Sequence, residues 1–488
     1  MKVVVIGAGF GGLSAAALIA KQGFDVEVIE QLDQPGGRAT QRIENGYVFD
    51  LGPSWYLAPD IFERFFARFG TKPEDHYELI RLDPSYSVFF DEERVTVPTG
   101  LDAARELFES IEPGAGAAFD RYMDDARYKY EVSMDRFLYK EYRSIFDFFT
   151  REILAQGFKL NLFSSMRTHA RRYFSDERLR RIVSYPVVFL GSSEKRTPAL
   201  YSLLSWTDFG LGVWYPKGGF HAVARSFETL AREHGAVFSY DERVQRIESD
   251  GSRVRRIVTD KRSVKADVVV VNADYANAEM TLLSRKDRSI SQRSWSKKTI
   301  APSGLVVCLG VKGRIENLDH HMLFFDGNWD EHFDEVFERH EWSEHPSFYV
   351  CAPSKTDDSV APKDCENLFF LVPLAPGLDD TPERRSRLRD VIIRRFEERV
   401  GERISDRIEA EYVYAHREFS ERYAAYKGTA FGLAHTLFQS AVFRPSHRSK
   451  KLSNLYYTGH YTHPGVGVPM VIISSELVAD MVSAHAPQ

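Results

Sequence analysis

A glycine-rich turn at the amino end constrains the fold of this chain more than any other feature. Residues 3–6 are an unbroken apolar run, which is typical of a strand buried on both faces of a parallel sheet. The run leads into Gly7-Ala-Gly9-Phe-Gly-Gly12 and then into a predicted helix at residues 11–22. Gly7 permits the tight turn, Gly9 lets the backbone approach a pyrophosphate, and Gly12 allows close helix packing. The order therefore predicts a dinucleotide site.

An acidic residue and a second glycine turn follow this unit. Residues 24–29 read as the next parallel strand, and Glu30 at its carboxyl end would accept a ribose hydroxyl and repel the 2′-phosphate of NADP. Gly36, Gly37 and Arg38 come just beyond, where an extended FAD would still be passing, and Arg38 would counter its phosphate charge. The pattern favours FAD over NAD. The alternative is a tight turn that binds nothing, with a solvated arginine.

Composition indicates an ordinary soluble protein of two or three domains. The 488 residues are 43% hydrophobic and 27% charged, which is typical of a globular chain that is too long for one simple core. A net charge of −6, with no zinc-finger or RNA-binding motif, gives no reason to expect nucleic acid as a partner. The 35 Phe and 23 Tyr residues fit either large cores or an apolar substrate channel.

The cysteines and the apolar runs bear on the cellular compartment. Cys308, Cys351 and Cys365 are odd in number and lack C-x-x-C spacing, so neither a disulfide framework nor a metal site is indicated. A reducing cytoplasm fits. The chain enters its first strand at once, which leaves no room for a signal peptide, and no run reaches the ~18 to 20 apolar residues of a membrane-spanning helix. We therefore expect membrane contact to be peripheral.

A second turn, Gly52-Pro53-Ser54, follows a short predicted strand at residues 47–49. Its backbone is predicted to lie beside the flavin ring, and a simple Gly-Pro corner is the alternative. The phenylalanines of residues 61–69 repeat on a helical period and are expected to be core.

Residues 101–201 lack the alternation of a parallel sheet and read as helices of an inserted domain. Within them an apolar group precedes a basic group. The members are Phe158, Leu160, Leu162, Phe163 and Met166, then Arg167, Arg171, Arg172, Arg178, Arg180 and Arg181. Such a sequence either docks on anionic lipid or forms a helix with a solvated arginine face.

The α/β pattern returns at residues 214–274. Residues 214–219 lead into a helix that is predicted to end near Glu233, and strands at 244–247 and 254–258 are expected to continue the sheet. Residues 266–271 form another buried strand with Asn272 at its carboxyl end, which is the edge where ligands gather. We expect this block to close over the adenine side of the same site, with Val244 supplying backbone contacts.

Residues 300–429 lose that pattern again. Strand-like runs at 304–308 and 368–372 and a charged helix at 381–399 predict a sheet that faces the substrate. His320 and His321 lack a third ligand at metal spacing and are expected on the surface.

The carboxyl end is predicted to complete the cofactor site. A strand at 455–458 precedes Gly459, and a loop leads through Gly467, Val468 and Pro469 into a closing helix that runs to about residue 481. Free amides at the start of this helix would face the flavin pyrimidine edge and stabilise negative charge at N1 and O2 upon reduction. Simple helix capping is the alternative.

These motifs together resemble the bacterial-type phytoene desaturases, FAD-dependent carotenoid dehydrogenases of the flavin amine-oxidase-like superfamily. The resemblance spans nearly the whole chain, and the motifs that carry it are residues 7–12, Glu30, 35–38, 52–54, 214–219 and 458–469. His460 departs from the wider superfamily, in which many relatives have an acidic residue after the glycine. The resemblance implies an α/β fold with a discontinuous Rossmann-like FAD-binding domain, an inserted mixed-sheet substrate domain and a helical membrane-associating or lid domain.

The domain bounds follow from the motifs and this resemblance. The FAD-binding domain is assigned residues 1–90, 206–299 and 430–488. The helical lid and docking insertion takes 91–205, and the substrate domain takes 300–429.

The resemblance also implies a reaction. Noncovalent FAD would remove two hydrogens from adjacent saturated carbons of a long isoprenoid, as in the conversion of phytoene to lycopene. Positive charge that follows hydride loss spreads into neighbouring double bonds, so no side-chain base is required. His463 is the nearest candidate for such a base, and a structural histidine in a glycine loop is the favoured alternative. A quinone or oxygen would accept the electrons. A later carotenoid desaturase, an amine or porphyrinogen oxidase and a non-catalytic prenyl-binding escort are the alternatives.

Overall fold

The computed structural model describes residues 1–91, 93–142 and 160–485. The strands are β1 (Lys2–Ile6), β2 (Asp25–Ile29), β3 (Gln41–Glu44), β4 (Tyr47–Asp50), β5 (Leu79–Arg81), β6 (Tyr86–Phe89), β7 (Arg94–Val97), β8 (Trp214–Pro216), β9 (Val237–Ser239), β10 (Val244–Ser249), β11 (Val254–Thr259), β12 (Ser263–Lys265), β13 (Val268–Val271), β14 (Ser303–Lys312), β15 (His321–Phe324), β16 (Phe348–Cys351), β17 (Cys365–Leu374), β18 (Ile408–Tyr414) and β19 (Leu455–Tyr457).

The described α-helices of five residues or more are α1 (Phe10–Lys21), α2 (Pro59–Ala67), α3 (Leu101–Ile111), α4 (Ala115–Ser133), α5 (Met166–Ala170), α6 (Glu177–Ser184), α7 (Gly219–Glu233), α8 (Gln292–Ser296), α9 (Trp329–Asp334), α10 (Pro382–Val400), α11 (His416–Tyr423) and α12 (Val468–Ser483).

A five-stranded parallel sheet in the order β19-β13-β1-β2-β9 forms the centre of the cofactor domain. Its strands come from three separate parts of the chain, and β1 pairs with β13 in the register Val3↔Val268. Buried apolar residues cover both faces, and helices α1, α7 and α12 pack together on one of them. This sheet confirms the predicted Rossmann-like fold, because only strands buried on both sides take such continuous valine runs.

Strands β10, β11 and β12 form a separate three-stranded antiparallel sheet. The expectation that residues 254–258 continue the parallel sheet is therefore wrong. Their alternation explains the difference, since Val254 and Ile257 are buried while Arg255 and Arg256 between them are exposed. A strand with one buried face and one solvent-exposed face is typical of an antiparallel sheet at the surface.

A seven-stranded mixed sheet in the order β18-β14-β17-β16-β15-β6-β7 forms the second layer. The predicted strands at 304–308 and 368–372 are confirmed as parts of β14 and β17, which pair antiparallel. The predicted charged helix is confirmed as α10, and it covers the face that carries Leu305 and Phe370. Strand β6 lies within residues 1–90 yet joins this sheet through a parallel pairing with β15.

The predicted helical character of residues 101–201 is confirmed over their described part, where α3 to α6 pack over the other face of the mixed sheet. Phe158 of the predicted docking group lies outside the described residues. Leu160 and Met166 are buried, whereas Phe163 is 80% exposed. Within the basic group, Arg167, Arg178 and Arg181 form ion pairs with carboxylates.

No helix among the described residues combines the length and the apolar character needed to cross a bilayer.

Candidate active site

One cavity of about 550 Å³ opens at the carboxyl ends of strands β1, β2 and β13. It is walled by segments from both ends of the chain and from its middle. The predicted site residues that line it are Gly7, Gly9, Glu30, Gly36, Gly37, Arg38, Gly52, Pro53, Ser54, Val244, Asn272, Gly459, Gly467, Val468 and Pro469. Gly12 alone of the predicted set does not line the cavity, because it lies behind Gly7.

The first glycine turn leaves room for a ligand only because side chains are missing there. A Cβ on Gly12 would overlap the carbonyl oxygen of Gly7, so α1 can approach β1 this closely only with glycine at that position. A Cβ on Gly9 would come within 3.0 Å of the Asn272 side chain. Gly9 precedes the first turn of α1, whose amide groups therefore face the cavity.

Glu30 ends β2 inside the cavity wall and is 6% exposed. Its carboxylate accepts hydrogen bonds from the amides of Ala8 at 2.6 Å and Leu32 at 2.8 Å. Burial raises the pKa of Glu30, and these bonds to the charged form oppose that rise. The amides fix the carboxylate at the edge of the cavity, where a ribose hydroxyl can donate to its remaining lone pairs.

Arg38 presents an unsatisfied donor to the same cavity. Its Nη2 donates to the carbonyl of Thr429 at 3.3 Å, and its guanidinium lies 5.6 Å from the centre of the Tyr423 ring. Its Nε is buried without a hydrogen-bond partner among the described residues. A buried, unpaired donor is costly, so the arginine fits an acceptor such as a phosphate oxygen.

The carboxyl-terminal segment supplies the opposite wall. Gly459 and Gly467 both have φ of +109°, a conformation that favours glycine. Gly467 precedes α12, and Val468 and Pro469 form its first turn against the cavity. The buried guanidinium of Arg444 donates to the carbonyls of Tyr461 and Thr462 at 3.2 and 3.0 Å, which fixes the loop between these glycines.

Three histidines that line the cavity are neutral. Burial lowers the pKa of His460 and of His435 far below the usual value, and it lowers the pKa of His463 to about 3. His463 is directed at backbone, since its Nε2 lies 3.1 Å from the carbonyls of Phe137 and Leu138. These side chains therefore add polarity without charge.

Tyr349 is a cavity residue that sequence reasoning missed. With Trp55, Phe369 and Leu371 it forms a wall that belongs to the Gly52 turn and to strands β16 and β17. Trp55 follows the predicted turn, and Phe369 and Leu371 lie in the run at 368–372 that was expected to face the substrate. His321 packs directly behind this wall. No motif marks Tyr349, because alternate residues on a strand look alike until the strand's partners are known.

His320 and His321 were expected on the surface, without a third ligand. The surface expectation is wrong, since the two side chains are 5% and 0% exposed. The fold also brings the Cys351 thiol close by, so that one nitrogen of each histidine and the sulfur all lie within 4.8 Å of one another, which sequence spacing did not show. The reason is the pairing of β15 with β16, which sets His321 opposite Cys351 in the interior of the mixed sheet.

Comparisons with known proteins agree with this geometry. The family described as flavin containing amine oxidoreductase matches residues 10–483. A carotenoid 3,4-desaturase of Haloarcula japonica is 44% identical over 482 residues, covering 98% of this chain and 97% of that protein. A zeta-carotene-forming phytoene desaturase of Myxococcus xanthus is 37% identical over 500 residues, covering 99% and 95%. A solved oxidoreductase from Methanosarcina mazei aligns with a TM-score of 0.64 at 18% identity, covering 98% of this chain and 100% of that one.

The chain therefore belongs to the flavin-containing amine oxidoreductases, and it is an FAD-dependent oxidoreductase. The glycine cradle, Glu30 and the unpaired Nε of Arg38 fit that cofactor. Within the family it is a member of the bacterial-type carotenoid desaturases.

Proposed function

We propose that the protein introduces a double bond into a long carotenoid. The observation that carries this proposal is the distribution of charge in the cavity. The charged side chains that line it are Glu30, Arg38, Glu242, Arg243, Asp274 and Arg422. All of them cluster around the predicted nucleotide end: the Glu242 amide donates to the Glu30 carbonyl, and the Gln31 side chain donates to the Arg422 carbonyl.

The remainder of the cavity suits a hydrocarbon. Its apolar lining includes Leu160, Leu162, Leu190, Leu200, Leu203, Leu204, Phe369, Leu371, Phe419 and Phe431. A protonated amine would lie there without a counter-charge, which is unfavourable in an apolar surrounding. A polyene carries no charge, so its burial has no such desolvation cost. This contrast favours a carotenoid over an amine or a porphyrinogen.

The predicted residues have separate roles in this proposal. Glu30 would hold the ribose, Arg38 the phosphate charge, and the free amides at Val468 the flavin pyrimidine edge. FAD bound there supplies the hydride acceptor. The protein's own part is to orient one allylic C–H bond and to exclude water.

Two desaturation steps are candidates. The resemblance in the sequence points to the conversion of phytoene to a more conjugated carotene such as lycopene. The higher identity to a 3,4-desaturase, 44% against 37% for the phytoene desaturase of Myxococcus xanthus, favours a later step on a carotenoid that is already conjugated. We therefore put 3,4-desaturation first and phytoene desaturation second.

Parallel incubations of the yellow holoenzyme with phytoene and with lycopene would separate these steps. Each substrate is supplied in liposomes, with a quinone or oxygen as the electron acceptor, and the pigments are resolved by chromatography. We expect lycopene to be converted to a product that absorbs at longer wavelength, with phytoene unchanged. Conversion of phytoene instead would establish the second candidate.

Enzyme stripped of FAD is the control, and it should convert neither carotenoid until FAD is restored. Rapid oxidation of an amine with no carotenoid turnover would contradict the proposal and favour an amine oxidase. A protein that is purified colourless and takes up no FAD would favour the prenyl-binding escort.

We further propose that the substrate enters from a membrane at one end of the molecule. Phe163 and Phe438 are 80% and 75% exposed. Phe163 directly follows the cavity residue Leu162, and Phe438 lies three residues before the cavity residue Ala441. Arg196, Lys297 and Lys298 surround a shallow groove with Phe438. Exposed aromatic and basic side chains beside a cavity mouth are typical of a peripheral membrane contact.

A further inference from the structure

A row of three hydrogen-bonding side chains leads out of the apolar cavity wall. Ser54 and Tyr349 line the cavity, and their hydroxyl oxygens lie 2.7 Å apart. The Tyr349 hydroxyl in turn lies 2.7 Å from Nδ1 of His321. The row begins where substrate would lie and ends at an imidazole in the core.

His321 is held in place on several sides. Its ring stacks on Trp55, with centroids 4.1 Å apart and planes 10° apart, and the His320 ring lies edge-on at 4.5 Å. Its Nε2 is buried without a hydrogen-bond partner among the described residues. Burial is the main cause that lowers the pKa of His321, with His320 adding to it, so the ring is neutral at rest.

We propose that Tyr349 and His321 take up the proton that the carotenoid loses during desaturation, an inference that rests on the proposed function. Bound FAD would supply the acceptor for the hydride, with its electron pair, that one allylic carbon loses. The electron pair of a C–H bond on the adjacent carbon becomes the π pair of the new double bond. The released proton goes to the Tyr349 oxygen while the Tyr349 O–H proton passes to Nδ1 of His321.

This proton transfer does not require a strong base. A C–H bond next to a carbocation is strongly acidic, so a weak and neutral acceptor suffices, provided that it lies within hydrogen-bond reach of the substrate. The relay needs His321 in the tautomer with its proton on Nε2, which leaves Nδ1 free to accept. Burial raises the pKa of Tyr349, so the phenol stays protonated and carries the proton without storing charge.

A metal ion is a less suitable occupant of this cluster. The Cys351 thiol lies beside the same tyrosine, and burial raises its pKa to about 12, so the thiol form is kept. A divalent ion would be bound by the thiolate, so its binding would also require deprotonation of this buried thiol.

The chain offers a matched pair of variants for the test. Asn places an amide where Nδ1 of histidine lies, so His321→Asn keeps a hydrogen bond to Tyr349 but cannot hold the proton. His320→Asn makes the same change in the adjacent residue, whose Nδ1 lies 2.7 Å from the Thr356 hydroxyl. Tyr349→Phe removes the hydroxyl group that would pass the proton from the substrate to His321.

Single-turnover rates of anaerobic holoenzyme with carotenoid, in normal and in heavy water, give the readout. We expect His321→Asn and Tyr349→Phe to form product about 100-fold more slowly, with FAD content and substrate affinity unchanged and with His320→Asn close to wild type. The wild type should be slower in heavy water, and Tyr349→Phe should lose that difference. In addition, NMR of isotope-labelled histidine should report the proton on Nε2 of His321.

Wild-type rates in the His321→Asn and Tyr349→Phe variants would overturn the relay, and so would no slowing of the wild type in heavy water. An equal loss in His320→Asn, or a loss confined to substrate affinity, would show a structural role instead. Failure of the proposed function is distinguishable from all of these, because the wild-type enzyme would then convert no carotenoid.

Discussion

The carboxyl group of Asp208 is 2% exposed, and its Oδ2 accepts hydrogen bonds from Tyr86 at 2.9 Å and Tyr185 at 3.1 Å. Burial raises the pKa of Asp208 from 3.8 to about 7, although the two hydroxyls lower it. The folded state therefore keeps a proton that the unfolded state has lost between these pH values. The stability that comes from the neutral form is present below about pH 4 and is lost as the pH rises through about 7.

Replacement of Asp208 should remove its own contribution to the pH dependence of stability. Asn is close in shape to the protonated carboxyl group and can still accept from both tyrosines. We expect Asp208→Asn to be more stable than the wild type at pH 8, by up to about 4 kcal/mol for three pKa units, and nearly equal to it at pH 4. Unfolding of both holoproteins at a series of pH values would check this. A difference that does not change with pH would contradict it.

At the scale of elements, a buried arginine joins the starts of helices α10 and α11. Arg385 in α10 donates to Asp380 from Nε at 2.6 Å and to Glu418 in α11 at 2.7 and 3.0 Å. Glu418 also accepts from the amide of Ala415, and Asp380 accepts from the amide of Arg417. The guanidinium thus neutralises two carboxylates that already hold the first turn of α11.

Replacement of Arg385 should lower the stability of the folded protein. We expect Arg385→Met to lower the free energy of unfolding by about 3 kcal/mol, because the largely buried Asp380 loses its counter-charge and the half-buried Glu418 keeps only the exposed Arg417 as a charged partner. Arg387→Met on the same helix is the control. Its partner is Glu344, and both side chains are about 70% exposed, so we expect a loss below about 1 kcal/mol. Denaturant unfolding measures both, and similar losses would contradict the argument.

At the scale of the whole molecule, the cavity extends from the carboxyl ends of the parallel strands to the segments that contain Leu162 and Ala441, close in sequence to the exposed Phe163 and Phe438. The double variant Phe163→Glu with Phe438→Glu should lose binding to anionic liposomes, because two carboxylates replace the apolar anchors beside a basic groove. Leu162 is left unchanged, since it lines the cavity. Co-sedimentation with liposomes is the measurement.

An exposed apolar residue outside the groove controls for charge alone. Ile43 in strand β3 is 71% exposed and belongs to the two-stranded sheet of β3 and β4, which contributes no residue to the groove. Ile43→Glu should therefore bind liposomes as the wild type does. Liposome binding by the double variant at the wild-type level, or an equal loss of liposome binding in Ile43→Glu, would contradict the docking proposal.

The sequence by itself determined the cofactor-binding unit. Residues 3–6, the glycines that follow and Glu30 form a continuous stretch in which local chemistry decides the outcome: a strand, a turn that only glycine permits, and a helix whose amides are free. The start of α12 directly after Gly467 was predictable in the same way, because local residues also decide where a helix begins. Each of these features depends on neighbours within a few residues.

Tertiary structure alone decided which distant segments share the cavity. The burial of His321 and the place of Tyr349 beside Ser54 depend on strand partners far along the chain, as in the pairing of β15 with both β6 and β16. A one-residue change of register would turn each side chain to the other face without altering the local pattern. For that reason the sequence predicted the nucleotide cradle, whereas the apolar wall and the proposed relay emerged only from the folded chain.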